Sequence, residues 1–122
     1  MDILLVEDND DVRESLCEML SMYGHHVIEA CNGLEAEQRL TEQTCDVIIT
    51  DIMMPHKTGF DLITETKNKH PEIKIIAMSG GGTSMTSEMA VHLAGIRADK
   101  ALSKPFMPQD ILDAIQEVTS DN

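Results

Sequence analysis

Short apolar runs alternate along this sequence with longer segments whose apolar residues recur at helical spacing. The runs predict strands at residues 3–6, 26–30, 46–50, 73–78 and 99–103. The intervening segments predict helices at residues 10–23, 33–43, 59–69, 85–94 and 108–118, with Gly24 and Pro71 among the residues that end them. Five strands therefore alternate with five helices.

The strands are continuous apolar runs and do not alternate apolar with polar residues. This pattern is typical of strands that are buried on both faces, so the sequence predicts an α/β fold with a parallel sheet and helices on both sides. At 122 residues the chain has the length of one domain, and we expect a single domain over residues 1–122.

The helical spacing also predicts which side chains face the sheet. In the first helix the inward stripe would run from Val12 through Leu20 to Tyr23, and in the second it would include Leu34, Ala36 and Leu40.

The chain is strongly acidic, with 22 Asp and Glu against 9 Lys and Arg and a formal charge of -13. This balance argues against direct nucleic-acid binding, which needs clustered cations, and favours a site for cations or a basic partner. No apolar run has membrane-spanning length. The three cysteines have neither disulfide nor zinc-site spacing, so we expect a cytoplasmic protein that does not bind membranes.

Charged and polar residues follow four of the predicted strands. Glu7-Asp8 follows the first, Asp51 the third, Ser79 the fourth and Lys104 the fifth. The carboxyl ends of parallel strands meet at one edge of the sheet, where ligands of such folds bind. Clustered carboxylates repel each other, and a divalent cation relieves the repulsion. Because only oxygen ligands are available, we expect Mg²⁺.

A pocket with a metal ion, an ammonium and a hydroxyl group suits a phosphoryl group, whose transfer depends on positioning and charge neutralisation. One carboxylate can then act as the nucleophile and form an acyl phosphate. Asp51 is the best candidate, because the adjacent Glu7 and Asp8 are better placed to hold the ion.

Nearly the whole chain resembles the receiver domain of bacterial two-component response regulators, because the motif residues of that family occur here in the same order. These motif residues are Glu7-Asp8, Asp51-Ile52-Met53-Met54-Pro55, Gly59, Ser79 and Lys104-Pro105-Phe106. The resemblance implies a flavodoxin-like, doubly wound sheet with strand order 2-1-3-4-5. It also implies a phosphorylation-controlled signalling switch of the two-component or phosphorelay type. Such a domain catalyses only its own phosphorylation and dephosphorylation.

The resemblance further implies a role for each matching residue. Asp51 would accept the phosphoryl group from a sensor histidine kinase or a histidine phosphotransfer protein. Mg²⁺ would be held by Asp51, Asp8 directly, Glu7 through water and the Met53 backbone carbonyl. The resemblance also implies that Ser79 and Lys104 contact the phosphoryl group and that Gly80 leaves space beside the acceptor. Pro105 would be a cis proline.

The sequence departs from the family pattern at Ala101, where receivers usually carry a switch aromatic. We nevertheless expect phosphorylation to change the face formed by the fourth and fifth strands and the helix between them. That face would act on a downstream protein target or on an effector domain outside this sequence.

Two alternatives remain open. The chain could be a receiver-fold interaction module that acts without phosphorylation, although such modules usually lack one of the site residues. It could also be a phosphatase of the haloacid dehalogenase kind, whose D-x-D signature lies on the first strand, whereas Asp51 lies on the third.

Overall fold

The computed structural model describes residues 1–52, 59–79, 98–103 and 106–120, with residues 59, 60, 79 and 103 described by their backbone alone. Five parallel strands form one sheet in the order β2-β1-β3-β4-β5, which confirms the predicted topology. The strands are β1 (Asp2–Val6), β2 (His26–Ala30), β3 (Val47–Asp51), β4 (Lys74–Ser79) and β5 (Lys100–Ser103).

The described residues contain four helices, which are α1 (Asp10–Met22), α2 (Gly33–Glu42), α3 (Gly59–Lys69) and α4 (Pro108–Thr119). Each agrees with a predicted helix to within one or two residues. The remaining predicted helix, at residues 85–94, lies outside the described residues. Among the helices that are described, none combines the length and apolar character needed to cross a bilayer.

Apolar side chains form one core on each face of the sheet. On one face, Leu62 and Ile63 of α3 and Ala36 of α2 pack with strand residues such as Ile48. On the other face, Leu20 of α1 and Ile111 of α4 pack with the opposite side of the strands. Strands buried on both faces explain the continuous apolar runs in the sequence.

The first helix is fixed at both ends by local hydrogen bonds. At its start, the Asn9 side chain accepts a hydrogen bond from the Val12 N–H, which satisfies one of the unpaired amides of the first turn. At its end, Gly24 adopts a φ of +86°, a conformation that residues with a Cβ rarely take. The helix therefore begins at the predicted residue and ends one residue before the predicted end.

Two of the predicted inward side chains are exposed, and those predictions were wrong. Tyr23 is 62% exposed because α1 ends at Met22, so Tyr23 has already left the helical stripe. Leu34 is 55% exposed because the buried first-turn residue of α2 is Gly33, and the inward face continues through Ala36.

An ion pair ties three elements together at the amino edge of the sheet. Lys67 Nζ of α3 lies 2.7 Å from Asp99 Oδ2, just before β5, and donates to the Ile73 carbonyl oxygen at 3.1 Å. The same Asp99 oxygen accepts from the Ile75 N–H of β4 at 2.8 Å. The Lys67 and Asp99 side chains are only 14% and 26% exposed, so solvent screens the pair weakly.

Candidate functional site

Three carboxylates meet where β1 and β3 end. The two strands are neighbours, with Val6 in register with Thr50, so the residues that follow them emerge side by side. One oxygen each from Glu7, Asp8 and Asp51 lies within 4.8 Å of the other two. The parallel topology thus brings together two segments of sequence separated by more than forty residues.

Glu7 is held by one hydrogen bond from its backbone and one to its side chain. Its N–H donates to the Ala30 carbonyl at 3.1 Å, which continues the pairing of β1 with β2 by one residue. Its Oε2 accepts from the Asn9 N–H at 3.2 Å. Glu7 is 1% exposed, whereas its neighbour Asp8 is exposed, so the pair offers one buried and one accessible carboxylate.

Asp51 is the last residue of β3 and is 7% exposed. The chain around it is fixed by the Ile52 N–H, which donates to the Met78 carbonyl of β4 at 3.0 Å. The buried Thr50 hydroxyl donates to the Asp51 carbonyl at 2.9 Å. Asp51 is therefore an acid on a rigid strand end, with one carboxylate oxygen directed toward Glu7 and Asp8.

The chemistry of this cluster fits a hard divalent cation. All three groups are carboxylates, two of them are almost completely buried, and their oxygens are close enough to share one ion. Carboxylate and water oxygens are the ligands that Mg²⁺ prefers, and Mg²⁺ commonly binds through only a few carboxylates. The exposed Asp8 leaves the cluster accessible from solvent.

A guanidinium lies next to this cluster. Arg13 of α1 donates from Nη1 to the Glu7 carbonyl at 2.8 Å, from Nη2 to Asp10 Oδ1 at 2.7 Å, and from Nε to Glu29 Oε1 at 3.3 Å. Partial burial opposes its charge, but hydrogen bonds and charge from Asp10 and Glu29 outweigh it and raise the pKa of Arg13 above its usual value.

The other predicted site residues are described only in part. The backbone of Ser79 ends β4 and is in register with Ser103, the residue before Lys104, so these predicted phosphoryl contacts follow neighbouring strands. Ala101 is half-buried and packs against the core on the α2 and α3 face. The predictions for Met53, Gly80, Lys104 and Pro105 fall on residues outside the described part of the chain.

Neither the contacts of Arg13 nor the N-cap role of Asn9 was predicted from the sequence. Asn9 carried a recognisable signal, because an Asn just before a helical pattern is a common N-cap. The position of Arg13 had no such signal, since its contact with Glu29 joins α1 to a strand sixteen residues further on. Only the packing of α1 beside β2 shows that this cation reaches the backbone of the acidic segment.

The family model described as the response regulator receiver domain matches residues 3–116. The response regulator receiver protein CpdR of Brucella abortus is 32% identical over 117 residues, which cover 95% of this chain and 94% of that protein. Several longer relatives, named as transcriptional regulators, are also similar, and the chain spans 24 to 50% of their length.

Solved structures with the same fold include other receiver domains. The receiver domain of NtrX from Brucella abortus has a TM-score of 0.88 and 27% identity, with 98% of this chain and 100% of that chain covered. The response regulator TrrA from Thermotoga maritima, in complex with Mg²⁺-BeF, has a TM-score of 0.84 and 28% identity, with 96% and 97% covered.

Proposed function

The chain belongs to the response regulator receiver domain family, and we propose that it is a signalling switch phosphorylated on Asp51. The phosphoryl donor would be a phosphohistidine on a sensor histidine kinase or a histidine phosphotransfer protein. The observation that carries this proposal is the meeting of Glu7, Asp8 and Asp51 within 4.8 Å at the ends of β1 and β3. Because Asp51 lies on a different strand from the other two, it can be the acceptor while they hold the ion.

In the proposed reaction, a carboxylate oxygen of Asp51 forms a bond to phosphorus while the bond from phosphorus to the donor's imidazole nitrogen breaks. The electron pair of that bond stays on the nitrogen, which takes up a proton. Glu7, Asp8, Asp51 and the Met53 carbonyl would hold Mg²⁺, with Glu7 acting through water. When bound, the ion neutralises the negative charge that gathers between the acceptor and the phosphoryl oxygens.

The remaining roles extend this proposal to residues after β4 and β5. Lys104 would pair with a phosphoryl oxygen as a point charge, and Ser79 would donate a hydrogen bond from its hydroxyl. Gly80 would leave space for the phosphoryl group, and a cis bond before Pro105 would direct Lys104 toward it. The register of Ser79 with Ser103 supports the pairing of these two segments.

The output would follow from a change in the face around β4 and β5. We propose that phosphorylation alters this face, which then binds a downstream protein or an effector domain outside this sequence. The chain would catalyse only its own phosphorylation and the hydrolysis of the acyl phosphate. A single receiver domain over residues 1–122 and a cytoplasmic location remain predictions from the sequence.

The proposal is tested by incubating the protein with Mg²⁺ and acetyl phosphate and measuring its intact mass. We expect the addition of one phosphoryl group, dependent on Mg²⁺ and abolished in Asp51→Asn. Asp11→Asn is the matched control, because Asp11 is an exposed acid in the first turn of α1 and is not a member of the carboxylate cluster. This variant should be phosphorylated like the wild type.

This mass measurement, together with an assay for hydrolysis of unrelated phosphate esters, separates the alternatives. Absence of an adduct, with acetyl phosphate and with the kinase, would contradict the proposal and favour an interaction module that acts without phosphorylation. Sustained hydrolysis of unrelated phosphate esters would favour a phosphatase. Phosphorylation that persists in Asp51→Asn would assign the acceptor to another residue.

A further inference from the structure

Arg13 connects three parts of the molecule around the carboxylate cluster. Its guanidinium contacts the Glu7 backbone, the first turn of α1 through Asp10, and β2 through Glu29. The side chain is only 16% exposed, and its three donors point to three different acceptors. An arginine fork used in this way holds its acceptors in a fixed relation to each other.

The contact with the Glu7 carbonyl matters because of where that carbonyl lies. It belongs to the peptide group that joins Glu7 to Asp8, and a peptide group is planar. The 2.8 Å hydrogen bond from Arg13 Nη1 therefore restrains the peptide group that joins the two Cα atoms from which the acidic side chains depart. The Glu7 N–H is fixed independently by the Ala30 carbonyl of β2.

The charge of Arg13 by itself would oppose the binding of a cation at the carboxylate cluster. A cation beside a metal site repels the incoming ion. Here Asp10 and Glu29 both pair with the guanidinium, at 2.7 and 3.3 Å, and offset its charge. What then remains is the geometric effect of the hydrogen bond to Glu7. A positioning role and a purely electrostatic role therefore predict opposite effects on Mg²⁺ affinity when Arg13 is neutralised.

We propose that Arg13 is a positioning residue that preorganises Glu7 and Asp8 for Mg²⁺ by fixing the peptide group between them. The inference rests on the proposed function only in taking these carboxylates as the Mg²⁺ ligands. Groups that orient metal ligands commonly contribute to metal affinity, and their loss typically weakens metal binding about tenfold or more.

The test is the Mg²⁺ dissociation constant of the unphosphorylated protein, measured by isothermal titration calorimetry. Arg13→Met should bind Mg²⁺ about tenfold more weakly than the wild type. Arg13→Lys keeps the charge and one donor but loses the fork, so its affinity should lie between the two. With Mg²⁺ raised to saturate each variant, the rate of phosphorylation of Arg13→Met should return close to that of the wild type.

Arg39→Met is the matched control for the loss of one positive charge. Arg39 also contacts Glu29, because its Nε donates to the Glu29 carbonyl at 3.3 Å, but it lies in the last turn of α2. Its side chain is 41% exposed and therefore better solvated than that of Arg13. We expect Arg39→Met to bind Mg²⁺ with the wild-type affinity.

Unchanged or tighter Mg²⁺ binding by Arg13→Met would overturn the proposal, even if the variant melts at a lower temperature. If Arg13→Met does not fold, Arg13→Lys decides, and wild-type affinity in that variant would overturn the proposal. Calorimetry requires no phosphorylation. Failure of the wild type to accept a phosphoryl group would therefore contradict the proposed function without affecting the result for Arg13.

Discussion

Glu7 directly follows the completely buried Val6, and Asp51 is the last residue of a strand whose residues are all buried. Their exposed fractions are 1% and 7%, and burial of a carboxylate costs free energy unless partners compensate for it. A third carboxylate, that of Asp8, adds further repulsion within 4.8 Å. A bound divalent cation would relieve the repulsion among these three acids at the end of two core strands.

Mg²⁺ should therefore stabilise the folded protein. At a concentration about one hundred times the dissociation constant, binding to the native state adds about 2.7 kcal/mol to the free energy of unfolding. We expect thermal unfolding to show this increase in the wild type and a much smaller one in Asp51→Asn, which loses a ligand. The control Asp11→Asn should keep the wild-type increase, and equal increases in all three proteins would contradict the metal site.

Cys45 should make the folded protein less stable at alkaline pH. Burial raises the pKa of its thiol from 9.0 to about 11. Between these values the unfolded protein releases the thiol proton while the folded protein keeps it, so stability falls as pH rises. The loss should reach about 2 to 3 kcal/mol by pH 11.

The measurement is urea unfolding between pH 8 and pH 11 in the wild type and in Cys45→Ala. Other groups titrate in the same range, but their contribution is common to both proteins. The decrease should be smaller in Cys45→Ala by the amount that the thiol contributes. Parallel curves for the two proteins would show that Cys45 ionises as readily in the folded state as in the unfolded state.

Single residues differ in how well the sequence predicts them. The acids of the site were predictable because each directly follows an apolar run, and a parallel sheet brings such positions to one edge. Arg13 was not predictable, because its importance depends on the distance between α1 and the backbone of Glu7. Ala101 was recognised as a departure from the family pattern, and the structure places it against the core on the α2 and α3 face.

At the scale of the elements, α3, β4 and β5 are joined at the edge opposite the carboxylates. The Lys67–Asp99 pair combines an ion pair with hydrogen bonds to the backbone of Ile73 and Ile75. This pair joins the start of β4 to the residue before β5, and the far ends of these strands lead to Ser79 and Lys104, the predicted phosphoryl contacts. It therefore helps to fix the relative position of β4 and β5.

Removing one partner of this pair should be costly. Lys67→Met leaves the carboxylate of Asp99 largely buried without its ammonium, and we expect a loss of about 2 to 3 kcal/mol in urea unfolding. Lys100→Met is the matched control, because Lys100 pairs with Glu117 at 2.9 Å but the two side chains are 40% and 60% exposed. That change should cost less than about 1 kcal/mol. Equal losses would contradict a special role for the buried pair.

The sequence predicted the ends of the strands and helices well, but it predicted less well which side chains of a helix face the sheet. Strands and helices begin and end close to the predicted residues because Gly24, Pro71 and similar local signals act within a few residues. The inward face of a helix depends on how the helix docks, and Leu34 shows this. It has helical spacing with Leu40, yet α2 turns Gly33 and Ala36 toward the sheet instead.

At the scale of the whole molecule, the two edges of the sheet differ in their chemistry. The carboxyl edge holds the three acids, and the amino edge holds the Lys67–Asp99 pair. Strand order was predicted through the resemblance to receivers, since alternating strands and helices are compatible with more than one order. A phosphoryl group on Asp51 would act on this framework next to the ends of β4 and β5.

Phosphorylation should therefore change the environment of β4 and β5 more than that of β2. We expect the amide chemical shifts of Ala101 and Leu102 to move when acetyl phosphate and Mg²⁺ are added, because the proposed contacts of Ser79 and Lys104 act on these strands. Val27 and Ile28, on the far side of the sheet, should move less. Asp51→Asn should show neither change, and equal movement in β2 and β5 of the wild type would contradict the proposed output face.

Asp51 is the residue that we propose carries the phosphoryl group. Borohydride reduces an acyl phosphate but not a free carboxylate, so a phosphorylated aspartate becomes homoserine and can be located by peptide mass spectrometry. After treatment with acetyl phosphate and Mg²⁺, we expect homoserine at position 51 and unmodified aspartate at positions 8, 10 and 11. Homoserine at any of those three positions, with Asp51 intact, would show that another residue accepts the phosphoryl group.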